Sequence, residues 1–111
     1  MIEKTVLDHL NSTLPVPCYM EKPENPPERY VLIEKTSSGR ENHIQTATIA
    51  AQSYAETLYQ AAALTESVKS AMDGLVELDR ITRAALNSDY NFTDSAKKQY
   101  RYQAVYDITH Y

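Results

Sequence analysis

Between Tyr54 and Leu75 the chain reads YAETLYQAAALTESVKSAMDGL, and no other stretch restricts the fold as strongly. At about 100° per residue, Tyr54, Leu58, Ala61, Thr65, Val68, Met72 and Leu75 fall in one stripe, with Glu56, Gln60, Glu66, Ser67 and Ser70 on the far side. That spacing predicts one long amphipathic helix whose apolar face needs a second layer. Ser53 and Glu56 stand at the spacing of a capping box, and Gly74 is placed to end the helix in a left-handed conformation. The small run Ala61–Ala63 lets the helix lie close on a neighbour, for which the flanking strands are the candidates. The helix reads as core rather than as a site.

Before it, Met1–Asn11 puts Ile2, Val6 and Leu10 on one helical face, which predicts a short N-terminal helix with His9 at the border of its stripe. Leu14-Pro15-Val16-Pro17 ends that helix, because a residue before proline avoids helical angles. Cys18–Glu21 reads as a short extended piece and Lys22–Glu28, KPENPPE, as a polar, proline-rich connector. Arg29–Thr36 and His43–Ser53 read as strands paired in a hairpin, with Ser37–Asn42, SSGREN, as a polar loop protruding into solvent.

After the long helix, Val76–Asp79 is a link, Arg80–Phe92 an extended strand with interleaved polar residues, and Thr93–Lys98 a turn. Gln99–Tyr111 shows the clearest alternation. Tyr100, Tyr102, Ala104, Tyr106 and Ile108 lie on one face, and Arg101, Gln103, Val105, Asp107 and Thr109 on the other. A second hairpin follows, with the aromatic row on the long helix and Arg101, Gln103, Asp107 and Thr109 on an open sheet face. The expected fold is α+β, one domain over residues 1–111: a mostly antiparallel sheet of four to five strands packed on one long helix, with a short N-terminal helix. An open face and free edge strands make self-assembly an expectation as well.

Composition bounds the chemistry. Fifteen acidic against eleven basic side chains leave a net charge of −4, which argues against affinity gained by neutralising phosphates. The single cysteine, Cys18, has no internal disulfide partner, and no long apolar run reads as a membrane segment, so a reducing cytoplasm is expected. Nine tyrosines against one phenylalanine and no tryptophan suit half-buried surfaces and surfaces covered on assembly.

No catalytic signature emerges. Cys18 lies between Pro17 and Tyr19 with no motif around it, and His9, His43 and His110 are not spaced as a shared metal site. Two glycines cannot build a phosphate-cradling loop or dinucleotide fingerprint, so neither metal nor cofactor is expected. The carboxylates Glu34, Glu41, Asp73, Asp79, Asp89, Asp94 and Asp107 read as solvated, and the chain is not expected to be an enzyme.

The strand ERYVLIEKT, the segment SSGREN, the run SYAETLYQAAALTESVKSAMDGL and above all LNSDYNFTD followed by KKQYRYQAVYDITHY resemble the small tail-completion, or tail-terminator, proteins of tailed bacteriophages and prophages. The resemblance spans nearly the whole chain in order and length. It implies an α+β subunit that closes with itself into a ring, usually a hexamer, at the head-proximal end of the tail tube. There the ring stops tube polymerisation and offers a docking surface to the head connector. The implied partners are further copies of the chain, the tail tube protein and the head connector or neck protein, with no membrane and with DNA only in passage. The implied location is the virion tail or neck, and the host cytoplasm during assembly. Within that reading Ser37, Ser38, Gly39, Arg40, Glu41 and Asn42 are placed at a tail-tube or neighbouring-subunit contact, and Arg101, Gln103 and Asp107 at the ring interface. An acidic net charge suits a ring that lets a genome pass. Three other readings stand beside it: a neck or head-closure protein of the same virion, a small cytoplasmic enzyme or regulatory subunit, and a single-stranded nucleic-acid binder stacking bases on Tyr100, Tyr102 and Tyr106.

Overall fold

Two prolines end the first helix where the sequence requires it. In the computed structural model, which describes residues 1–111, α1 spans Ile2–Thr13 and buries Ile2, Val6 and Leu10. Leu14 then turns to extended angles. The Asn11 side chain receives the Cys18 amide at 2.9 Å and donates to the Cys18 carbonyl at 3.2 Å, so one amide side chain stands in for a neighbouring strand. It holds β1 (Cys18–Tyr19), which runs parallel to the start of β2 (Tyr30–Glu41). β3 (Ile44–Ala55), the long helix α2 (Leu58–Asp73), a 3-10 turn (Gly74–Glu77), β4 (Ile81–Asn91) and β5 (Tyr100–His110) complete the chain.

The strands form one five-stranded mixed sheet in the order β1-β2-β3-β5-β4, antiparallel except for the β1–β2 pair. The fold is therefore α+β with two helices. Val31, Ile33, Ala47, Ile49, Ala51, Ala104, Tyr106 and Ile108 join Val6, Leu10, Val68, Met72 and Leu75 in one core. Tyr106 is 1 % exposed and its hydroxyl donates to the Asp73 carboxylate at 2.7 Å, with the Lys69 carbonyl 3.0 Å away. Of the expected aromatic row only Tyr106 is fully buried; Tyr100 and Tyr102 are half-buried.

Three local expectations are corrected. The helix starts at Leu58 rather than at Tyr54, because Tyr54 and Ala55 pair with Arg101 and Tyr100 and so finish β3. Thr57, not Ser53, caps it, its hydroxyl accepting from the Gln60 amide at 3.1 Å. Glu56, freed from the capping box, binds Arg29. Gly74 has φ −74°, right-handed, and the helix tightens into the 3-10 turn where a simple link was expected. His9 Nε2 donates to the Ala71 carbonyl at 2.8 Å and occupies one of the acceptors a left-handed cap would have served.

The third correction concerns Ser37, Ser38, Gly39, Arg40 and Glu41. They form the outer half of β2, not a loop, and pair with Thr48, Ala47, Thr46, Gln45 and Ile44. A bulge between Lys35 and Ser37 lets the strand continue in a shifted register. The reversal is confined to Asn42 and His43, whose φ values of 50° and 67° are those of a two-residue hairpin turn.

Because His43 holds a left-handed conformation without being glycine, His43→Gly is expected to stabilise the fold by about 0.5–1 kcal/mol, read from the urea midpoint. The buried Tyr106 ring ends in a hydroxyl bonded to the Asp73 carboxylate, so Tyr106→Phe is expected to cost about 2 kcal/mol in the same measurement. Burial pushes the Cys18 thiol from 9.0 up to about 11, and burial together with Asp73 pushes the Tyr106 phenol well above its usual value. Both shifts are upward, so the Cys18 contribution is complete below pH 9 and is lost as pH rises through about 11, while that of Tyr106 is complete below pH 10.0 and is lost only as pH rises above it. Native Cys18 is expected to resist thiol reagents at pH 8 and to react on unfolding.

Candidate interaction surface

The side of the sheet away from α1 and α2 has no second layer, and the strand register decides what it displays. Residues directly opposite one another share a face. The uncovered face thus carries Tyr30, Leu32 and Ser37 from β2, Thr48, Gln52 and Tyr54 from β3, Arg101, Gln103 and Asp107 from β5, and Tyr90 from β4.

These side chains are bonded to one another in rows across the strands. Arg101 Nη1 donates to the Tyr54 hydroxyl at 3.0 Å, which donates to Gln52 Oε1 at 3.1 Å. Gln52 Nε2 donates to Gln103 Oε1 at 2.8 Å, and Gln103 Nε2 donates to the Tyr90 hydroxyl at 2.5 Å. All four bonds point the same way, from the guanidinium to the edge strand, so each polarises the next. Farther along, the Asp107 carboxylate accepts from the Thr48 hydroxyl and from the Asn87 amide, both at 3.0 Å.

Aromatic rings make a parallel row at the end of the sheet nearest the proline-rich connector. Tyr19 meets Tyr30 edge-on at 6.2 Å, and Tyr30 stacks on Tyr54 at 4.6 Å with the planes 4° apart. The Arg101 guanidinium lies 5.7 Å from the Tyr54 ring and 4.5 Å from the Phe92 ring, and Phe92 meets Tyr90 edge-on at 5.9 Å. Tyr30 and Tyr54 are buried in this row, while Tyr90 and Phe92 remain 42 % and 40 % exposed. Burial, with Tyr54 adding to it and Arg101 opposing it, raises the Tyr30 phenol above its ordinary range and keeps it neutral.

The residues singled out in sequence therefore fall in two places. Arg101, Gln103 and Asp107 are half-buried on the uncovered face, each engaged as above. Ser37 shares a row with Asp107, two strands away, and Gly39 shares one with Thr109. Ser38 turns to the other face with Ala47. Gly39, Arg40, Glu41 and Asn42 line a shallow concavity of about 400 Å³ at the hairpin end with Ile44 and Thr46. Beyond the Gln45–His110 pair this end has no β5 beside it, so Glu41–Ile44 stand clear of the sheet. A second cavity, of about 370 Å³, opens by the start of α1 between Glu3, Lys35, Arg80 and His110. Lys35 Nζ lies 3.5 Å from one Glu3 oxygen, and the other Glu3 oxygen is buried without a partner.

The sequence reading missed Tyr54, Gln52, Thr48, Tyr90 and Phe92. The signal is the alternation Thr46, Thr48, Ala50, Gln52, Tyr54, which takes in the residue at which the helical stripe begins.

No three His, Cys, Asp or Glu side chains converge as metal ligands would. No helix is long and apolar enough to cross a membrane. No protein-family model matches the chain. A search of curated proteins also finds no match.

Gln52 and Gln103 bond directly at a half-exposed site, so each alanine variant is expected to cost about 1 kcal/mol. The double variant should fall short of the sum by about 0.5 kcal/mol in a denaturation cycle, and strict additivity would show that the row is not coupled.

Proposed function

We propose that this chain is a structural subunit of phage or prophage tail assembly. It closes with copies of itself into a ring at the head-proximal end of the tail tube, stops tube growth and presents a docking surface to the head connector. The observation that carries the reading is the one-sided sheet. One face is sealed by α2, while the other carries ordered, half-exposed polar and aromatic rows and ends in two flanks of different chemistry. A closed head-to-tail ring requires two unlike surfaces on every subunit, and the β1–β2 flank and the β4 flank are unlike. The biological setting is taken from the resemblance of the residue pattern to tail-completion proteins.

In that setting the projecting hairpin end, with Arg40, Glu41 and Asn42, is the contact to the tail tube or neighbouring subunit. Arg101, Gln103 and Asp107 belong to the ring interface through the face they organise. The subunit acts in the host cytoplasm during assembly and in the virion neck afterwards, by shape and contact rather than by catalysis, with the acidic net charge of −4 suited to DNA passage.

The test is electron microscopy of particles from the source phage or prophage with this gene deleted, beside a complemented control. Overlong or ragged tails separated from filled heads are the expected result. Normal-length tails beside heads that have lost their DNA would move the protein to head closure, and intact infectious particles would remove it from assembly.

A further inference from the structure

The proline-rich connector and the exposed aromatic pair stand at opposite flanks of the same face. Glu21–Glu28 joins β1 to β2 at one side of the sheet, and Tyr90 and Phe92 lie on and just after β4 at the other. Both are at the same end, because the Tyr30–Tyr54–Arg101–Phe92 row links them strand by strand.

Each flank lacks what the other has. Pro26 and Pro27 are exposed, and no hydrogen bond ties Glu21–Glu28 to the rest of the chain. The segment bends at Glu24–Asn25 and again at Glu28, and its prolines fix the backbone angles between the bends, so little entropy is left to lose on binding. Its charge is acidic, with Glu21, Glu24 and Glu28 against Lys22, while the adjoining Arg29 is taken by Glu56.

The β4 flank is aromatic and basic. Phe92 and Tyr90 meet edge-on and form an angled apolar seat. The Tyr90 hydroxyl is the last acceptor of the polarised row that begins at Arg101, so its own proton is free to donate outward. In the turn that follows, Lys97 and Lys98 are exposed, and the Asp94 carboxylate is occupied by the Ala96 and Lys97 amides.

We infer that the acidic proline segment Glu21–Glu28 of one copy docks on the Tyr90–Phe92 seat of the next. The prolines lie on the two rings, a connector carbonyl accepts from the Tyr90 hydroxyl, and Glu24 and Glu28 face Lys97 and Lys98. Aromatic seats take proline rings in this way, here the exposed Pro26–Pro27 pair between two bends, and the charge pairs fix the direction. The contact is head-to-tail, since each copy brings a connector on one flank and a seat on the other. It deepens the ring reading above and names the surfaces by which the ring would close.

The test is oxidative cross-linking of the purified full-length chain with Cys18→Ala, carrying Pro26→Cys and Phe92→Cys together, and separately Glu24→Cys and Lys97→Cys. The second pair leaves the Phe92–Arg101 contact intact. The expected result for at least one pair is a reducible ladder running past the dimer, where each single-cysteine variant stops at dimer. A ladder that ends at dimer for both pairs, or no ladder, overturns the contact. In the Pro26→Cys/Phe92→Cys chain, reversing Lys97 and Lys98 to glutamate is expected to lower ladder yield about fivefold, and reversing Glu24 and Glu28 to lysine as well to restore it. An unchanged yield on reversal overturns the charge register. A ladder from a protein whose deletion leaves tails intact would keep this contact and remove the terminator reading. Ragged tails without a ladder would do the opposite.

Discussion

The Tyr106 hydroxyl bond fixes how the one long helix lies on the sheet. The ring passes through the core between β3 and β4 and ends at the last turns of α2, on Asp73 and beside the Lys69 carbonyl. Lys69 in turn pairs with Asp89 on β4, which ties the helix to the edge strand, and with Glu66 on its own helix. Apolar contact alone would let an alanine-rich helix slide or rotate on a sheet, since burial is nondirectional. A buried phenol whose proton must reach the Asp73 carboxylate or the Lys69 carbonyl holds the helix where both lie within reach. His9, donating to the Ala71 carbonyl, fastens α1 to the same end of α2. The whole helical layer is thus indexed to a few polar atoms near residues 69–73.

Two helices cannot cover both faces of a five-stranded sheet, and here both lie on one. The opposite face is stable because it supplies its own partners: glutamines to glutamines, tyrosine to tyrosine, and an arginine between two rings. Such a face is half dry before anything binds it. Ordering its side chains has already been compensated within the monomer, which lowers what a partner must offset on docking. A uniformly apolar face would instead drive indiscriminate association. The arrangement therefore favours a specific, oriented contact over a sticky one.

Much of this was legible in the sequence, and the misreadings share a physical cause. Val6, Leu10, Val68, Met72 and Leu75 were placed in the core by period alone, and the alternation in β5 put Tyr106 inside and Arg101, Gln103 and Asp107 outside. Tyr54 was misassigned because a tyrosine at the right spacing fits a helical stripe as well as a strand. Its pairing with Arg101, distant in sequence, decided the matter. Ser37–Asn42 reads as a loop because serine, glycine and asparagine are turn residues in isolation, yet only Asn42 of these lies in the turn. The ladder of Ser37–Arg40 with Gln45–Thr48 is a tertiary fact, made possible by a bulge no local pattern announces. The rows on the uncovered face depend on which strands are neighbours, and the β3–β5 adjacency skips β4.

The free edges add a last constraint on how copies can meet. β4 is broken by irregularities after Ile81 and after Leu86, and β2 by its bulge beside Thr36. A bulged edge offers only short runs of amides and carbonyls in phase, so extending the sheet from copy to copy by backbone pairing is disfavoured on either side. That leaves side-chain surfaces as the means of association, and these differ between the flanks: proline and glutamate on one, aromatic rings and lysines on the other. Association through unlike flanks has a direction, and a fixed rotation per contact either closes a ring or winds a filament. Which of the two forms depends on the angle at that single contact. The rigidity of the Tyr30–Tyr54–Arg101–Phe92 row, which spans the sheet between the flanks, is what would hold the angle constant from one copy to the next.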